Sequence, residues 1–190
     1  MLINKKPLHP NFGVIIEDID LNQVSNNFLY KEIRELFENY SVILFKNQKI
    51  SDDTHINFAK LFGQLENREA MATNSDVEFE LSLVTNQKED KSVYDEYDIK
   101  TLDLKANMLW HTDSTFLPIP ALANIITAKI IPSSGGQTEL ASTRVALKKL
   151  PKDLYYNIKD KKIWHNLSHS RKQINNQLAK ESYINRWPSQ

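Results

Sequence analysis

A histidine and an aspartate stand two residues apart in the stretch LWHTDSTF, residues 109–116. The aromatic and β-branched residues around them are typical of a β-strand. Successive side chains of a strand point to opposite faces, so we expect His111 and Asp113 to share one face. An imidazole and a carboxylate placed in this way can bind the same metal ion.

One more histidine would complete a known kind of metal site, the 2-His-1-carboxylate facial triad. The triad covers one face of an octahedron and leaves three positions open for chemistry on Fe(II). The tripeptide alone is weak support, because His-x-Asp is common by chance. A single histidine on a strand is more often a packed or a surface residue, and at this point both interpretations stay open.

Composition excludes several other classes of protein. The chain of 190 residues has no cysteine, which rules out disulfides, iron–sulfur clusters and thiolate zinc sites. Basic and acidic residues balance at 24 each, so no overall field favours nucleic acid or an anionic membrane. No apolar run reaches the roughly 18 residues of a membrane helix, and the first ten residues lack a signal-peptide core. We expect a cytoplasmic single domain over residues 1–190.

The N-terminal part of the chain predicts a mixture of short strands and amphipathic helices. Apolar residues at helical spacing predict a helix over 28–40, and a buried strand follows at 41–45. Ser51 is the predicted N-cap of the next helix, and Gly63 is its predicted left-handed end. His55 falls within that helix, where we expect it to be exposed.

Residues 66–106 are polar and only weakly periodic. They predict a long mobile loop, and long loops in compact domains often act as lids. The stretch ELSLVTN, residues 80–86, is the strand expected within this loop.

Strands are predicted again in the C-terminal half. They cover residues 108–116 and 121–131, and Gly135 with Gly136 provides a tight reversal after them. Ser142 is then expected to cap a helix. Helices that come first and hairpins that come later favour an α+β fold with a β core.

The order of these motifs resembles the TauD/TfdA family of Fe(II)- and 2-oxoglutarate-dependent dioxygenases, and most closely its TfdA-like branch. The resemblance covers nearly the whole chain. It implies a double-stranded β-helix core, of jelly-roll or cupin-like type, with flanking helices. The segments that carry it are HPNFGVIIEDIDL, YSVILFKNQKISDDTHINFAKLFGQLE, LWHTDSTF, PSSGGQTEL and WHNLSHSRKQ.

The resemblance implies roles for four residues. His111 and Asp113 match two iron ligands of the family. Thr138, 25 residues after Asp113, matches the threonine that binds a carboxylate of 2-oxoglutarate. Asn107 stands where some members have an active-site asparagine. Because Asp113 is retained, the resemblance implies a hydroxylase rather than a halogenase.

The implied reaction uses Fe(II), 2-oxoglutarate and O2, and it hydroxylates a small, anionic organic substrate with release of succinate and CO2. Two residues near the motifs are not expected to take part in catalysis. Trp110, on the opposite strand face from His111, is expected in the core. Arg68 is expected to be a solvated charge.

The family's distal histidine, and the arginine that pairs with the far carboxylate of 2-oxoglutarate, would follow Gln190. We therefore expect the β-helix to be incomplete at its C-terminus. His165 and His169 are four residues apart and would share a helix face, but the family has a connecting helix there. An incomplete β-helix would leave strand edges exposed, and a homo-oligomer would cover them.

Two alternatives to the enzyme stay open. The first is a non-catalytic relative, either a remnant or a binding scaffold, that lacks the third iron ligand. The second is a cupin-like protein that binds metal without responding to 2-oxoglutarate. Neither would have a nucleic-acid or membrane partner.

Overall fold

A computed structural model of the chain describes residues 3–73 and 81–190. Their contacts divide the chain into two compact units. The first unit consists of Met1–Gln64 and Ile125–Lys161, and the second of Leu65–Asn124 and Lys162–Gln190.

The first unit contains a three-stranded sheet. Strand β1 (Lys5–Pro7) runs antiparallel to β2 (Val14–Ile16), and β2 runs parallel to β3 (Ile43–Phe45). The strand predicted at 41–45 is therefore confirmed over three residues, but it is not buried as predicted, since Leu44 is 41% exposed. The central strand β2 is the most buried of the three, as a strand with neighbours on both sides is expected to be.

Two helices of the first unit follow the predicted pattern. Helix α1 (Phe28–Tyr40) has the predicted bounds, and α2 (Asp52–Lys60) begins after the predicted cap. A short 3-10 helix, Leu21–Gln23, packs against α2. The apolar faces of these elements form one buried cluster of Ile3, Ile16, Leu21, Ile33, Leu36 and Phe58.

The predicted N-caps are confirmed as well. The Ser51 hydroxyl accepts a hydrogen bond from the Thr54 backbone N–H at 3.1 Å. Gly63 has φ of +140°, a conformation that side chains with a Cβ rarely adopt, but the C-cap of α2 is the right-handed Leu61, two residues earlier. Ser142 accepts a hydrogen bond from the Val145 N–H at 3.2 Å. The two N-caps could thus be predicted from the sequence, because each capping oxygen and its N–H donor are three residues apart.

Replacing Ser51 with alanine is expected to lower the free energy of unfolding by about 1 kcal/mol, because the first turn of α2 loses an acceptor. Urea denaturation followed by circular dichroism measures the change. The Ser51→Asn variant keeps a capping oxygen and is expected to retain most of the stability. Equal losses in the two variants would show that the cap is not the cause.

The rest of the first unit departs from the predicted strands. Residues 125–131 show no strand pairing, so the strand predicted at 121–131 is wrong. Ile125 and Thr127 are half-buried whereas Ile126 is 75% exposed, so the alternation of an extended chain remains over 125–128, and residues 129–131 are all exposed. A strand also needs a neighbour for its backbone hydrogen bonds, and the described residues place none beside this segment.

A reversal and two helices complete this unit. Gly135 and Gly136 have φ of +75° and +72°, the left-handed conformation that the predicted tight reversal requires. Helix α5 (Thr143–Lys149) and helix α6 (Lys152–Ile158) follow. The described residues have β1 and β2 before α1 and no named strand after β3, so the expected order of helices first and hairpins later is wrong.

The second unit is mainly helical in its described part. Helix α4 (Ile99–Ala106) packs against α7 (Leu167–Lys172), and both contact a 3-10 helix at Leu178–Lys180. The other helices are α3 (Arg68–Thr73) and α8 (Ser182–Asn185). The buried apolar residues are Ala106, Leu117, Leu178, Ala179 and Ile184.

The segment predicted as a loop, residues 66–106, contains helices α3 and α4 and is not one continuous loop. Residues 81–86 of the predicted strand 80–86 show no strand pairing, and residue 80 lies outside the described residues. Helix α4 is short, so its packing on α7 stabilises it more than its own periodicity does. A role of this segment as a lid stays a prediction.

None of the helices in the two described stretches has the length and apolar character needed to cross a membrane.

Candidate metal centre

His111 and Asp113 lie in an irregular segment that leads into a turn. Ser114 has φ of +61°, and the Leu117 N–H donates to the Ser114 carbonyl at 2.9 Å. A left-handed residue interrupts the pleat of a strand, so side chains no longer alternate between two faces. The strand predicted over 108–116 is therefore wrong.

The two side chains nevertheless meet. Nε2 of His111 lies 3.0 Å from Oδ1 of Asp113, and the side chains are 43% and 47% exposed. An octahedral ion with bonds of about 2.1 Å holds adjacent ligand atoms about 3.0 Å apart. The distance therefore suits two neighbouring positions around one metal ion, at a place that solvent reaches.

A second contact holds the ring of His111 in place. Its Nδ1 lies 2.6 Å from the carbonyl oxygen of Leu109. A carbonyl oxygen only accepts, so Nδ1 is the ring nitrogen that donates to Leu109, and Nε2 is the ring nitrogen that faces Asp113. Metal-binding histidines usually donate their other N–H to a carbonyl or carboxylate in this way. Nε2 is thus the ring nitrogen that would bind a metal ion beside Asp113.

Asp113 is also held by a residue that the sequence patterns did not single out. Its Oδ2 accepts a hydrogen bond from Nδ2 of Asn124 at 2.5 Å. Oδ1 then remains as the oxygen that faces His111. Asn124 lies within the predicted strand 121–131, and nothing in that strand pattern distinguishes it from its neighbours.

Side-chain contacts of Ser114, Glu66 and Arg68 stabilise the turn after Asp113. The Ser114 hydroxyl, in a residue only 5% exposed, donates to Oε2 of Glu66 at 2.5 Å. Glu66 also pairs with Arg68, whose guanidinium lies 5.3 Å from the ring centroid of Phe116. The Arg68 side chain is 53% exposed, in agreement with the predicted solvated charge, and it also contacts Glu66 and Phe116. Glu66 was not predicted.

Asn107 lies at the end of α4, four residues before His111. Its Oδ1 accepts a hydrogen bond from Nη2 of Arg171 at 3.1 Å, and Nε of Arg171 donates to Asp103 at 2.8 Å. The contact described for the Asn107 side chain is thus with α7, and it does not join His111 and Asp113.

Two other residues from the motifs are exposed. Thr138 belongs to the first unit, where it lies between Gly136 and α5. Trp110 is 70% exposed, so its predicted place in the core is wrong. Without a strand at this position, no second face directs Trp110 into a core.

His55 was predicted to be exposed and is 8% exposed instead. Its Nε2 lies 3.0 Å from the Ile125 carbonyl, and its Nδ1 lies 3.3 Å from Oγ1 of Thr127. The histidine thus joins α2 to the extended segment 125–131. The pattern missed this because only the folded chain places that segment against α2.

His165 precedes α7 and His169 lies within it, so they do not share a helix face as predicted. Across the described stretches of the chain, no three His, Cys, Asp or Glu side chains are grouped so that they could hold a metal ion. His111 and Asp113 therefore supply two adjacent ligands, and the described residues do not supply a third protein ligand beside them.

The sequence matches the family described as "Taurine catabolism dioxygenase TauD, TfdA family" over residues 4–189, and the chain belongs to this family. The resemblance of the sequence motifs is therefore confirmed across nearly the whole chain.

Curated relatives agree with the TfdA-like branch. The chain is 33% identical over 174 residues to the "Alpha-ketoglutarate-dependent 2,4-dichlorophenoxyacetate dioxygenase" of Cupriavidus pinatubonensis (strain JMP 134 / LMG 1197), covering 90% of this chain and 61% of the relative. It is 29% identical over 173 residues to the "(S)-phenoxypropionate/alpha-ketoglutarate-dioxygenase" of Sphingobium herbicidovorans, covering 90% and 56%. The chain thus spans less than two thirds of the length of these relatives.

The structure is also similar to a solved structure, that of AAD-2 in complex with Mn(II) and N-oxalylglycine. The TM-score is 0.85 at 25% sequence identity, and the match covers 100% of this chain and 67% of that chain. The cupin-like fold class of the family is confirmed by this similarity, whereas the described residues themselves form a small mixed sheet with helices.

Proposed function

We propose that this protein is an Fe(II)- and 2-oxoglutarate-dependent dioxygenase that hydroxylates a small organic anion and releases succinate and CO2. The observation that carries the proposal is the pair His111 and Asp113, with Nε2 and Oδ1 3.0 Å apart. Iron bound there would supply the activation of O2 that is coupled to oxidation of 2-oxoglutarate. The protein's own task is to hold and orient the reactants.

His111 and Asp113 are the proposed iron ligands, and Thr138 and Asn107 are the proposed residues for 2-oxoglutarate. A threonine hydroxyl donates well to a carboxylate. The Oδ1 of Asn107 is engaged by Arg171, so the N–H groups on Nδ2 are the donors that remain. Both side chains thus offer donors to an anionic co-substrate.

An aryloxyalkanoic acid is the substrate class that we propose. The two curated relatives are named for 2,4-dichlorophenoxyacetate and (S)-phenoxypropionate, which are both aromatic ethers carrying a carboxylate. In this chain Met108 and Trp110 are 81% and 70% exposed immediately before His111. Apolar side chains beside polar groups are typical of pockets for such ligands.

The double-stranded β-helix core, the single domain, a homo-oligomer and the cytoplasmic location stay proposals. The extended segment 125–131 supports the first of these. It keeps strand-like alternation over 125–128, and Ile126 and Ile130 give it an exposed apolar side. A further strand or a second copy would cover such a side and pair its backbone.

The second candidate function is that of a non-catalytic relative. It is favoured by one observation, since the described residues provide no third protein ligand grouped with His111 and Asp113. Such a protein would not form the iron and 2-oxoglutarate complex that the reaction needs.

An anaerobic titration of the full chain with Fe(II) and 2-oxoglutarate tests the proposal. The expected results are a visible charge-transfer band and a heat of binding that saturate at one iron per chain. Glutarate, which lacks the keto oxygen and cannot chelate in the same way, is the matched control and should give no band. On adding O2 and phenoxyacetate, succinate should form. Absence of both band and heat would overturn the proposal and support the non-catalytic relative.

A further inference from the structure

The two oxygens of the Asp113 carboxylate have different neighbours. Oδ1 lies 3.0 Å from Nε2 of His111, and Oδ2 accepts the hydrogen bond from Nδ2 of Asn124. The side chain is 47% exposed, so burial does not restrict it. The terminal torsion of an aspartate is broad and roughly two-fold. The amide of Asn124 is thus the described contact that fixes the rotation of the carboxylate, with one oxygen on the amide and the other facing His111.

The backbone on either side of Asp113 is held by other residues. Ser114 is anchored to Glu66, and the ring of His111 is anchored to the Leu109 carbonyl. Neither contact reaches the Asp113 carboxylate itself. The contribution of Asn124 is therefore separate from that of the turn.

We propose that Asn124 is a positioning residue that keeps Asp113 a one-oxygen ligand. The proposal rests on the proposed function, because it concerns the same metal centre. A carboxylate can bind a cation through one or both oxygens. The hydrogen bond to Oδ2 disfavours the two-oxygen mode, and it thereby leaves coordination positions for a co-substrate.

The hydrogen bond also accounts for an asparagine at this position. An amide nitrogen donates to a carboxylate without carrying a charge. A lysine or arginine there would compete with a metal for the negative charge of Asp113, whereas the neutral amide orients the carboxylate and leaves its charge available.

Binding of Mn(II) to the full chain, followed by the electron paramagnetic resonance of the free ion, provides the first test. The Asn124→Ala variant is expected to bind Mn(II) about 10- to 100-fold more weakly, as is usual when a partner of a ligand is lost. The Asn176→Ala variant removes another exposed asparagine of the second unit, and its affinity should be unchanged. Asn124 is exposed as well, and circular dichroism checks that both variants fold.

The absorption spectrum of bound Co(II) is the second readout, because it reports on the number and arrangement of ligands. We expect it to change in Asn124→Ala and to match the wild type in Asn176→Ala. Wild-type affinity and spectrum in Asn124→Ala would overturn this inference and leave the proposed function standing. No binding of Mn(II) or Co(II) by the wild-type chain would overturn both.

Discussion

The His111→Ala variant is expected to lose metal binding, with an affinity for Mn(II) reduced by more than the roughly 100-fold that loss of an outer partner costs. The physical reason is the removal of Nε2, the ring nitrogen that lies 3.0 Å from Oδ1 of Asp113. Asp113 would remain as a single half-exposed carboxylate, and one carboxylate in water competes poorly for a divalent cation. Isothermal titration under anaerobic conditions measures the change.

His169→Ala is the matched control for this prediction. His169 is an exposed histidine of the same unit, so its removal should leave the affinity at the wild-type value. Asp113→Ala should reproduce the loss expected for His111→Ala, since Nε2 of His111 and Oδ1 of Asp113 would bind the same ion. Undiminished binding in either ligand variant would place the metal centre elsewhere in the chain.

The Ile33→Ala variant is expected to lower the free energy of unfolding by about 2–5 kcal/mol. Ile33 is fully buried in the cluster that includes Ile16 and Leu36. Truncating it removes buried apolar area and leaves a cavity, and both effects destabilise the folded state. The midpoint of guanidinium denaturation, followed by far-ultraviolet circular dichroism, reports the loss.

Phe28→Ala provides the comparison within the same helix. Phe28 is 67% exposed at the start of α1, so the same kind of truncation should change stability by less than about 0.5 kcal/mol. If the two variants were equally stable, the buried cluster would not be the main source of stability for the first unit.

Helix bounds, N-caps and glycine turns could be predicted, because they depend on residues that are close together in the sequence. The bounds of α1 followed from helical spacing, and the caps Ser51 and Ser142 followed from side-chain oxygens placed next to orphan N–H groups. Gly135 and Gly136 followed from their tolerance of positive φ. In each case the atoms that interact lie within a few residues, so the sequence displays them together.

The strands predicted at 108–116 and 121–131 did not form, because a strand depends on a partner that the local sequence does not contain. Aromatic and β-branched residues favour extended backbone, but a strand forms only when a partner supplies hydrogen bonds. The left-handed Ser114 instead turns the first segment, and the second has no strand beside it in the described residues. The burial of His55 by Ile125 and Thr127 likewise depends on residues about 70 positions away.

The sequence by itself determined which two side chains form the candidate metal centre and to which family the chain belongs. Residue types and the order of motifs can both be read along the chain without its tertiary structure. Only the tertiary structure decided how His111 and Asp113 meet, since they do so beside a turn and not through strand alternation. It also decided what supports them. Asn124 and Glu66 reach the site through hydrogen bonds that span 11 and 48 residues, and no short pattern contains both partners of such a bond.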